Sequence, residues 1–256
     1  MSIPPILLIS IHSPVFPLEE KRKAEKKVHL MDTIQFAAIF DMDGTLFQTN
    51  EILGSSLERT FDILRAEGNW AGITPLAAYQ RIMGVPLSVV WETLMPEHPD
   101  HIHQQADRLF LKCLNQEIKE GKGQLFPYVL ETLSTIKELG ISVFIASNGL
   151  EKYLDEICSY FGLHRYVTDI YSIQRTVEGS KSDLVRMLLN DHHIQNAMMI
   201  GDRKSDIEAA KKNSLTAVGC QFGFAGEQEL KEADVLIADF RELQTYVSNW
   251  LLTCSG

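Results

Sequence analysis

Short runs of almost wholly apolar residues recur along the chain, and segments with helical periodicity separate them. Runs of the length expected for strands buried on both faces cover residues 34–40, 141–146, 197–200, 215–218 and 235–237. The segments between them predict helices over residues 129–139, 150–161, 181–189, 207–213 and 228–232. Because strand and helix alternate, the pattern predicts an α/β fold built on a doubly wound parallel sheet.

One long stretch interrupts this alternation. Residues 50–123 carry no strand signal, and helix-like segments punctuated by glycine and proline dominate them. Thr74 followed by Pro75 is typical of a helix start, with threonine at the N-cap and proline at the first helical position. We interpret residues 50–123 as an all-helical insertion into an α/β core that comprises residues 32–49 and 124–256.

The first 31 residues precede the first predicted strand. Residues 3–11 are apolar, but Pro4 and Pro5 interrupt the run, no basic segment precedes it, and no small-residue cleavage site follows it. A weak membrane anchor or targeting arm is one interpretation of this segment. We favour the other interpretation, which is that residues 1–31 form a disordered extension.

Composition narrows the class of protein. The net charge of −10 disfavours broad binding to nucleic acid or to anionic membranes, because an acidic surface repels both. No apolar run approaches the roughly 18 residues that span a bilayer. The four cysteines are isolated and form no CxxC pair, which favours reduced thiols in a cytoplasmic protein over a disulfide framework or a zinc site. The oligomeric state is not indicated.

Polar side chains cluster directly after three of the predicted strands and at the start of the helix that precedes the third. In open α/β sheets, ligand sites form outside the carboxyl ends of the strands, so a parallel sheet would bring these groups to one edge. In chain order they are Asp41, Asp43, Ser147, Asn148, Lys181, Asp202 and Asp206.

These residue types fit phosphoryl transfer. A carboxylate such as Asp41 can attack phosphorus and form an acyl phosphate. A second carboxylic acid, Asp43, can protonate the leaving oxygen and then deprotonate water. Several carboxylates in one place require a cation, and Mg²⁺ prefers oxygen ligands. Asp41 and Asp202 are the natural ligands, with Asp206 as a further ligand or as support.

Donors for the phosphate are expected around these carboxylates. Lys181, Ser147 and backbone amides can hold the phosphoryl oxygens and the charge that develops on them. Gly44 allows the backbone to turn sharply beside the substrate. We predict that Gly44, Thr45, Ser147 and Asn148 together form the phosphate-binding part of the site.

Four segments of the sequence resemble the four motifs of the haloacid dehalogenase-like (HAD) superfamily. They are Asp41-Met42-Asp43-Gly44-Thr45-Leu46, Ser147-Asn148-Gly149, Lys181 and Gly201-Asp202-Arg203-Lys204-Ser205-Asp206. Order and spacing match, and the resemblance covers nearly everything from residue 34 to the end. The helical insertion resembles the small helical cap of this family. The sequence looks most similar to the phosphoglycolate phosphatase-like and β-phosphoglucomutase-like branch, although Arg203 stands where phosphoglycolate phosphatase-like members often have serine.

The resemblance implies a role for each core residue. It implies that Asp41 is the nucleophile, that Asp43 is the general acid/base, and that Lys181 orients the nucleophile and the phosphate. It also implies a Mg²⁺ site formed by Asp41, the backbone carbonyl of Asp43, Asp202 and Asp206.

We therefore predict Mg²⁺-dependent hydrolysis of a small-molecule phosphate monoester through an aspartyl-phosphate intermediate. The predicted partner is a small phosphorylated metabolite, with no nucleic acid polymer and no membrane. The alternatives are a β-phosphoglucomutase-like sugar phosphomutase, a nucleotidase or pyrophosphatase of the same superfamily, and a phospho-accepting regulatory protein. A dehalogenase is disfavoured because it needs neither an acid at Asp43 nor a metal. In the insertion, Arg65 and Trp70 are the candidates for substrate selection.

Overall fold

The structure of the protein is a computed structural model. It describes residues 36–254 except 83, 84, 86, 178, 225 and 227, and it does not describe the side chains of 87, 88 and 251–254. The prediction for residues 1–31 lies outside this range. The described residues belong to one compact unit of the chain.

A six-stranded sheet lies at the centre of this unit. Its strands are β1 (Phe36–Phe40), β2 (Ser142–Ser147), β3 (Val167–Ser172), β4 (Asn196–Gly201), β5 (Thr216–Cys220) and β6 (Val235–Ile237). Their order in the sheet is β3-β2-β1-β4-β5-β6, and every neighbouring pair is parallel. The predicted fold class is thereby confirmed.

Helices flank the sheet and fill the insertion. They are α1 (Asn50–Ala66), α2 (Leu76–Arg81), α3 (Leu87–Leu94), α4 (Asp100–Lys119), α5 (Val129–Glu138), α6 (Glu151–Tyr160), α7 (Lys181–Asp191), α8 (Lys204–Lys212) and α9 (Phe240–Cys254). None of these helices, within the ranges the structure describes, is long and apolar enough to cross a membrane.

Alternate residues of β1 enter two different apolar clusters. Phe40 lies in a cluster with residues of α5 and α9, such as Leu133 and Leu243. Ile39 lies in a second cluster with residues of α7 and α8, such as Leu184. Because successive side chains of a strand point to opposite faces, both faces of the sheet are covered. This double burial explains why β1 reads as a continuous apolar run.

The structure corrects three details of the sequence-based prediction. β3 was not predicted, because as an edge strand it is only partly buried and its sequence contains Thr168 and Asp169. Residues 228–232 form turns and not a helix. Helix α2 begins one residue later than expected, with Pro75 at the N-cap position. The Thr74 hydroxyl does not cap the helix and instead accepts a hydrogen bond from the Arg65 guanidinium, 3.3 Å away.

The chain enters and leaves the helical insertion through two segments that are hydrogen-bonded to each other. Gln48 N donates to Gln124 O at 2.8 Å, and Phe126 N donates to Leu46 O at 3.0 Å. Gly123, in the returning segment, has a φ of 84°, a conformation that disfavours any residue with a Cβ. The insertion is therefore joined to the sheet by a short two-stranded connection.

A buried carboxylate ties α1 to the end of α4 beside this connection. The side chain of Glu117 is only 1% exposed. It accepts hydrogen bonds from Ser55 Oγ at 3.0 Å and Arg59 Nη1 at 2.9 Å, and it pairs with Lys122 Nζ at 2.9 Å. Burial acts to raise the pKa of Glu117, but the Lys122, Arg59 and Ser55 donors together hold it below its usual value.

We expect Glu117→Ala to lower the free energy of unfolding by about 1–3 kcal/mol, because three donors lose a buried acceptor. Glu120→Ala is the matched control, since it removes a partly exposed partner of the same Lys122. A change at such a surface site is expected to stay within about 0.5 kcal/mol. Urea unfolding at pH 7 measures both values, and equal losses in the two variants would contradict the prediction.

Candidate active site

The strand register brings the predicted site to one edge of the sheet. Phe40, the last residue of β1, pairs with Ile145 of β2 and with Ile200 of β4. Asp41 follows directly, and its N–H donates to the Ile200 carbonyl at 2.9 Å. Asp202 follows Ile200 by two residues, so the carboxyl ends of the central strands place both aspartates together. This is the edge at which open α/β sheets bind ligands.

Three aspartates and one lysine form the centre of the site. Asp41, Asp202 and Asp206 are buried, and each offers a carboxylate oxygen within 4.8 Å of the others. Lys181 Nζ lies 2.5 Å from Asp41 Oδ1 and also pairs with Asp206. When all three carboxylates are ionised, this one ammonium neutralises one of them, and two buried negative charges stay without a neutralising cation.

The excess of negative charge contributes to the raised pKa values of Asp41 and Asp202. Burial raises the pKa of Asp41 well above its usual value, Lys181 opposes this rise, and the charges of Asp206 and Asp202 add to it. Burial and the nearby Asp206 carboxylate raise the pKa of Asp202 to about 7. In Lys181, burial acts to lower the pKa, but Asp206 and Asp41 outweigh it, so the pKa is raised. The lysine therefore stays charged.

The cluster fits a divalent cation that takes oxygen ligands. All three groups are carboxylates, which are the ligand type of Mg²⁺ and Ca²⁺, and none is the thiolate or imidazole typical of zinc sites. A cation held between them neutralises the charge that Lys181 leaves uncompensated. The backbone carbonyl of Asp43 stays a prediction as a further ligand.

Two donors fix the orientation of Asp202. Thr45 Oγ1 donates to Asp202 Oδ1 at 3.1 Å, and Phe224 N donates to Asp202 Oδ2 at 2.6 Å. Gly44 has a φ of 81°, and a Cβ on it would lie 2.6 Å from the Phe224 ring. The Gly44 N–H donates to the Phe47 carbonyl. We predicted that Thr45 and Gly44 bind phosphate. In the structure the Thr45 hydroxyl holds Asp202, and the Gly44 N–H closes the turn.

Asp206 and Arg203 are held at the start of α8. Asp206 Oδ2 accepts a hydrogen bond from Arg203 N at 2.9 Å. A Cβ on Gly201 would collide with the Asp206 carboxyl group, so only glycine leaves room for this carboxylate. The Arg203 Nε donates to Glu229 at 3.0 Å. The arginine that departs from the family pattern is thus held by a glutamate outside the four motifs.

Asp43 lies beside the carboxylate cluster and has hydroxyl partners of its own. Its Oδ1 accepts hydrogen bonds from Thr49 Oγ1 and from Tyr153 OH, the latter at 2.6 Å. Burial raises the pKa of Asp43, although the hydrogen bonds from Thr49 and Tyr153 act in the opposite direction. The sequence analysis missed both partners. Tyr153 is 110 residues from Asp43, and only the pairing of β1 with β2 brings the two residues together.

Candidate hydrogen-bond donors for a phosphate group lie at the end of β2 and directly after β1. Ser147 Oγ accepts a hydrogen bond from Gly149 N at 3.1 Å, which leaves its hydroxyl proton available to donate. Among the described residues, the N–H groups of Met42 and Asp43 donate to no acceptor. These two amides follow the nucleophile candidate directly and were not singled out from the sequence. Asn148 lines the cavity described next.

A cavity of about 60 Å³ lies between Asp43 and the helical insertion. The core contributes Asp43, Asn148 and Phe224 to its lining, and the insertion contributes residues that include Tyr79 and Phe110. The insertion therefore forms part of the wall of the site.

Arg65 and Trp70 are not among the described residues that line this cavity. The Arg65 guanidinium pairs with Glu58 at 2.6 Å and with Asp62 at 2.7 Å. The Trp70 ring packs on Phe61 with their ring centroids 4.8 Å apart. The structure therefore does not bring the two predicted specificity residues together with the core of the site.

Residues 38–220 match the family model of the haloacid dehalogenase-like hydrolases, and the chain belongs to this family. A phosphoglycolate phosphatase from Agrobacterium fabrum is 28% identical over 224 residues, which cover 80% of this chain and 89% of the relative. A 5′-nucleotidase from Pseudomonas aeruginosa is 24% identical over 206 residues, covering 75% of this chain and 86% of the relative. The crystal structure of a predicted phosphatase from Clostridium acetobutylicum has the same fold, with a TM-score of 0.71 at 21% identity over 85% of this chain and 99% of that one.

The metal-free protein is expected to lose stability as the pH rises. The Asp202 pKa is about 7 in the folded chain, against an ordinary value of 3.8. A carboxyl group with a raised folded-state pKa stabilises the fold fully below the ordinary value and loses that contribution as the pH passes through the folded value. We expect the free energy of unfolding to fall between pH 5.5 and 8, and to fall less in Asp202→Asn.

Urea unfolding at both pH values measures this difference, with the exposed Asp155→Asn as control. We expect saturating Mg²⁺ to raise the stability of the wild type and of the control at pH 8, and to have a much smaller effect on Asp202→Asn. The prediction is wrong if Asp202→Asn keeps the wild-type pH dependence, or if Mg²⁺ stabilises all three proteins equally.

Proposed function

We propose that this protein is a phosphatase that hydrolyses small-molecule phosphate monoesters with Mg²⁺ and with Asp41 as its nucleophile. The observation that carries the proposal is the buried cluster of Asp41, Asp202 and Asp206, in which Lys181 Nζ lies 2.5 Å from Asp41 Oδ1. Membership of a hydrolase family and the names of the relatives support it. The cluster unites a nucleophile, a cation-binding site and a fixed positive charge in one place.

The first step is attack by Asp41 on phosphorus. Asp41, Asp202, Asp206 and the carbonyl of Asp43 would hold a Mg²⁺ ion, which would supply the positive charge that lets an anionic phosphate approach the carboxylates. Lys181 holds Asp41 Oδ1, so the other oxygen of Asp41 is the one directed at phosphorus. A bond forms between this oxygen and phosphorus as the bond from phosphorus to the alcohol oxygen breaks.

Asp43 supplies the proton in this step. Thr49 and Tyr153 both donate to Asp43 Oδ1, which leaves Oδ2 to carry the proton to the departing alcohol oxygen. In the second step the ionised Asp43 takes a proton from water, the water oxygen bonds to phosphorus, and the acyl phosphate of Asp41 breaks. Inorganic phosphate leaves, and Asp43 is again protonated for the next cycle.

We infer that residues 50–123 act as a cap on a core formed by residues 32–49 and 124–256. Supporting this division, residues of the insertion line the cavity beside Asp43. The two connecting segments are the candidate hinges, and the positive φ values of Gly121 and Gly123 are found there. Closure of the cap excludes bulk water and restricts the size of the alcohol.

The phosphomutase and nucleotidase alternatives share the same nucleophile and acid. A mutase would return the phosphoryl group to a sugar phosphate, so it would yield an isomeric hexose phosphate from hexose 1-phosphate without free phosphate. A nucleotidase would release phosphate fastest from nucleoside monophosphates. Both substrates belong in the panel of the following experiment.

We expect Asp41→Asn to abolish Mg²⁺-dependent phosphate release from every ester, because the amide is a poor nucleophile. Asp43→Asn should slow both steps by about 10²–10⁴-fold while substrate still binds. The measurement is phosphate release from a panel of esters with Mg²⁺ and with EDTA. Asp155→Asn is the control and should retain full activity. Retention of more than a few per cent of wild-type activity by Asp41→Asn would overturn the covalent mechanism.

Tyr153→Phe tests the positioning of Asp43. It removes one donor to Asp43 Oδ1, so protonation of the leaving oxygen is expected to suffer. We expect kcat/KM for ethyl phosphate, which reports only the steps up to release of the alcohol, to fall about 3–10-fold. The kcat/KM for 2,2,2-trifluoroethyl phosphate should change less than about twofold, because its better leaving group needs less help from an acid. Tyr160→Phe, on the same helix but half exposed, should leave both rates unchanged. Equal losses for the two esters would indicate a structural role only.

A further inference from the structure

If Asp43 protonates the leaving oxygen, the cavity beside Asp43 accommodates the alcohol part of the substrate. It is lined by Asp43, the candidate acid, and not by Asp41 or Lys181. The leaving oxygen has to lie near Asp43 to receive its proton, so the rest of the alcohol extends into this space. The chemistry of the cavity wall therefore determines which alcohols fit.

The wall is largely apolar and carries no positively charged side chain among the described residues. Leu53, Phe110, Leu111, Leu114 and Phe224 form much of it. None of the lining residues that the structure describes is lysine, arginine or histidine, and the one ionisable carboxyl group in the lining is that of Asp43.

The nearest candidates for a cation are engaged or lie elsewhere. Lys181 is paired with Asp41 and Asp206. Arg65 is paired with carboxylates of its own helix. Arg81, two residues beyond a lining residue, is exposed and is not among the described residues of the wall. A second anionic group on the substrate would find no cationic side chain among the described residues here.

Tyr79 supplies the polar group that the insertion contributes to the wall. It is 7% exposed, and its ring packs against Phe110 with their centroids 5.4 Å apart. Its hydroxyl has no hydrogen-bond partner among the described residues, although the residue lines the cavity. Burial and the Asp43 charge raise the pKa of Tyr79, so the hydroxyl stays neutral. A hydroxyl can both donate and accept a hydrogen bond, so Tyr79 can bond an oxygen of a ligand in this cavity.

We propose that the substrate is a phosphate monoester of a small uncharged alcohol, and that the Tyr79 hydroxyl hydrogen-bonds an oxygen of that alcohol. This inference rests on the proposed phosphatase function and narrows it. The cavity of about 60 Å³ exceeds the roughly 10–15 Å³ that one water molecule needs. It therefore has room for a small alcohol such as a two- or three-carbon diol or triol.

The proposed substrate differs from phosphoglycolate, the substrate in the name of the relative from Agrobacterium fabrum. The carboxylate of phosphoglycolate would lie beside Asp43 without a cationic side chain to pair with, and burial of a charge without an ionic partner is unfavourable. The relative is 28% identical, which leaves room for a different cavity wall. An alcohol with a hydroxyl in the same position meets no such penalty.

The decisive comparison uses two esters of nearly equal size, 2-hydroxyethyl phosphate and 2-phosphoglycolate. We expect kcat/KM for 2-hydroxyethyl phosphate to exceed that for 2-phosphoglycolate by at least about tenfold. A preference for phosphoglycolate would overturn this inference and leave the phosphatase in place. If no ester released phosphate in the presence of Mg²⁺, the proposed function itself would fall, and this inference with it.

Tyr79→Phe tests the hydrogen bond within the cavity. We expect kcat/KM for 2-hydroxyethyl phosphate to fall about 3–10-fold, while kcat/KM for n-propyl phosphate, which lacks the hydroxyl, stays within about twofold. Tyr160→Phe is the control. A loss of equal size for both esters would show that Tyr79 acts only in packing and would remove its part of the proposal.

Leu111→Arg places a positive charge in the cavity wall and so tests whether its absence sets the preference for an uncharged alcohol. Leu111 is a partly buried residue of the wall. We expect the ratio of kcat/KM for 2-phosphoglycolate over 2-hydroxyethyl phosphate to rise at least about tenfold, and Leu111→Gln, which is polar but uncharged, to leave the ratio near the wild-type value. An unchanged ratio in a folded Leu111→Arg variant would show that charge in the wall does not set the preference.

Discussion

The ion pairs of Lys181 with Asp41 and Asp206 are the constraint on which the site depends. They join the end of β1, the start of α7 and the start of α8, three elements that are far apart in the sequence. One ammonium among these buried carboxylates cannot neutralise them all, so the apo site stores repulsion that a cation relieves. The same imbalance that destabilises this cluster of carboxylates favours the binding of a divalent cation between them.

Close packing around the carboxylates depends on glycine. Gly44, Gly201 and Gly223 each leave a space that a Cβ would fill with an overlap on Asp202 or Asp206. The backbone can therefore surround the carboxylate oxygens without a layer of side chains between. These three glycines are thus needed for space, and Gly44 is needed for its positive φ as well.

The sequence predicted the core of the site better than its surroundings. Central strands are buried on both faces and read as apolar runs, so Asp41 and Asp202 could be located at strand ends, whereas the half-exposed β3 gave no such signal. Tyr153 contacts Asp43 across 110 residues, and no local pattern encodes such a contact. Trp70 was predicted to help select the substrate because it lies in a glycine-flanked loop of the insertion, and no pattern in the sequence says which surface such a loop packs against.

Thr49 links the start of the insertion to Asp43. It is the last residue before α1, and its hydroxyl donates to Asp43. Under the proposed function, a movement of the insertion about its connecting segments would therefore also act on the hydrogen bond from Thr49 to the candidate acid, while Tyr153 in the core would keep its own bond to the same oxygen. The proton donor would then have both of its hydroxyl partners only when the insertion is closed over the site.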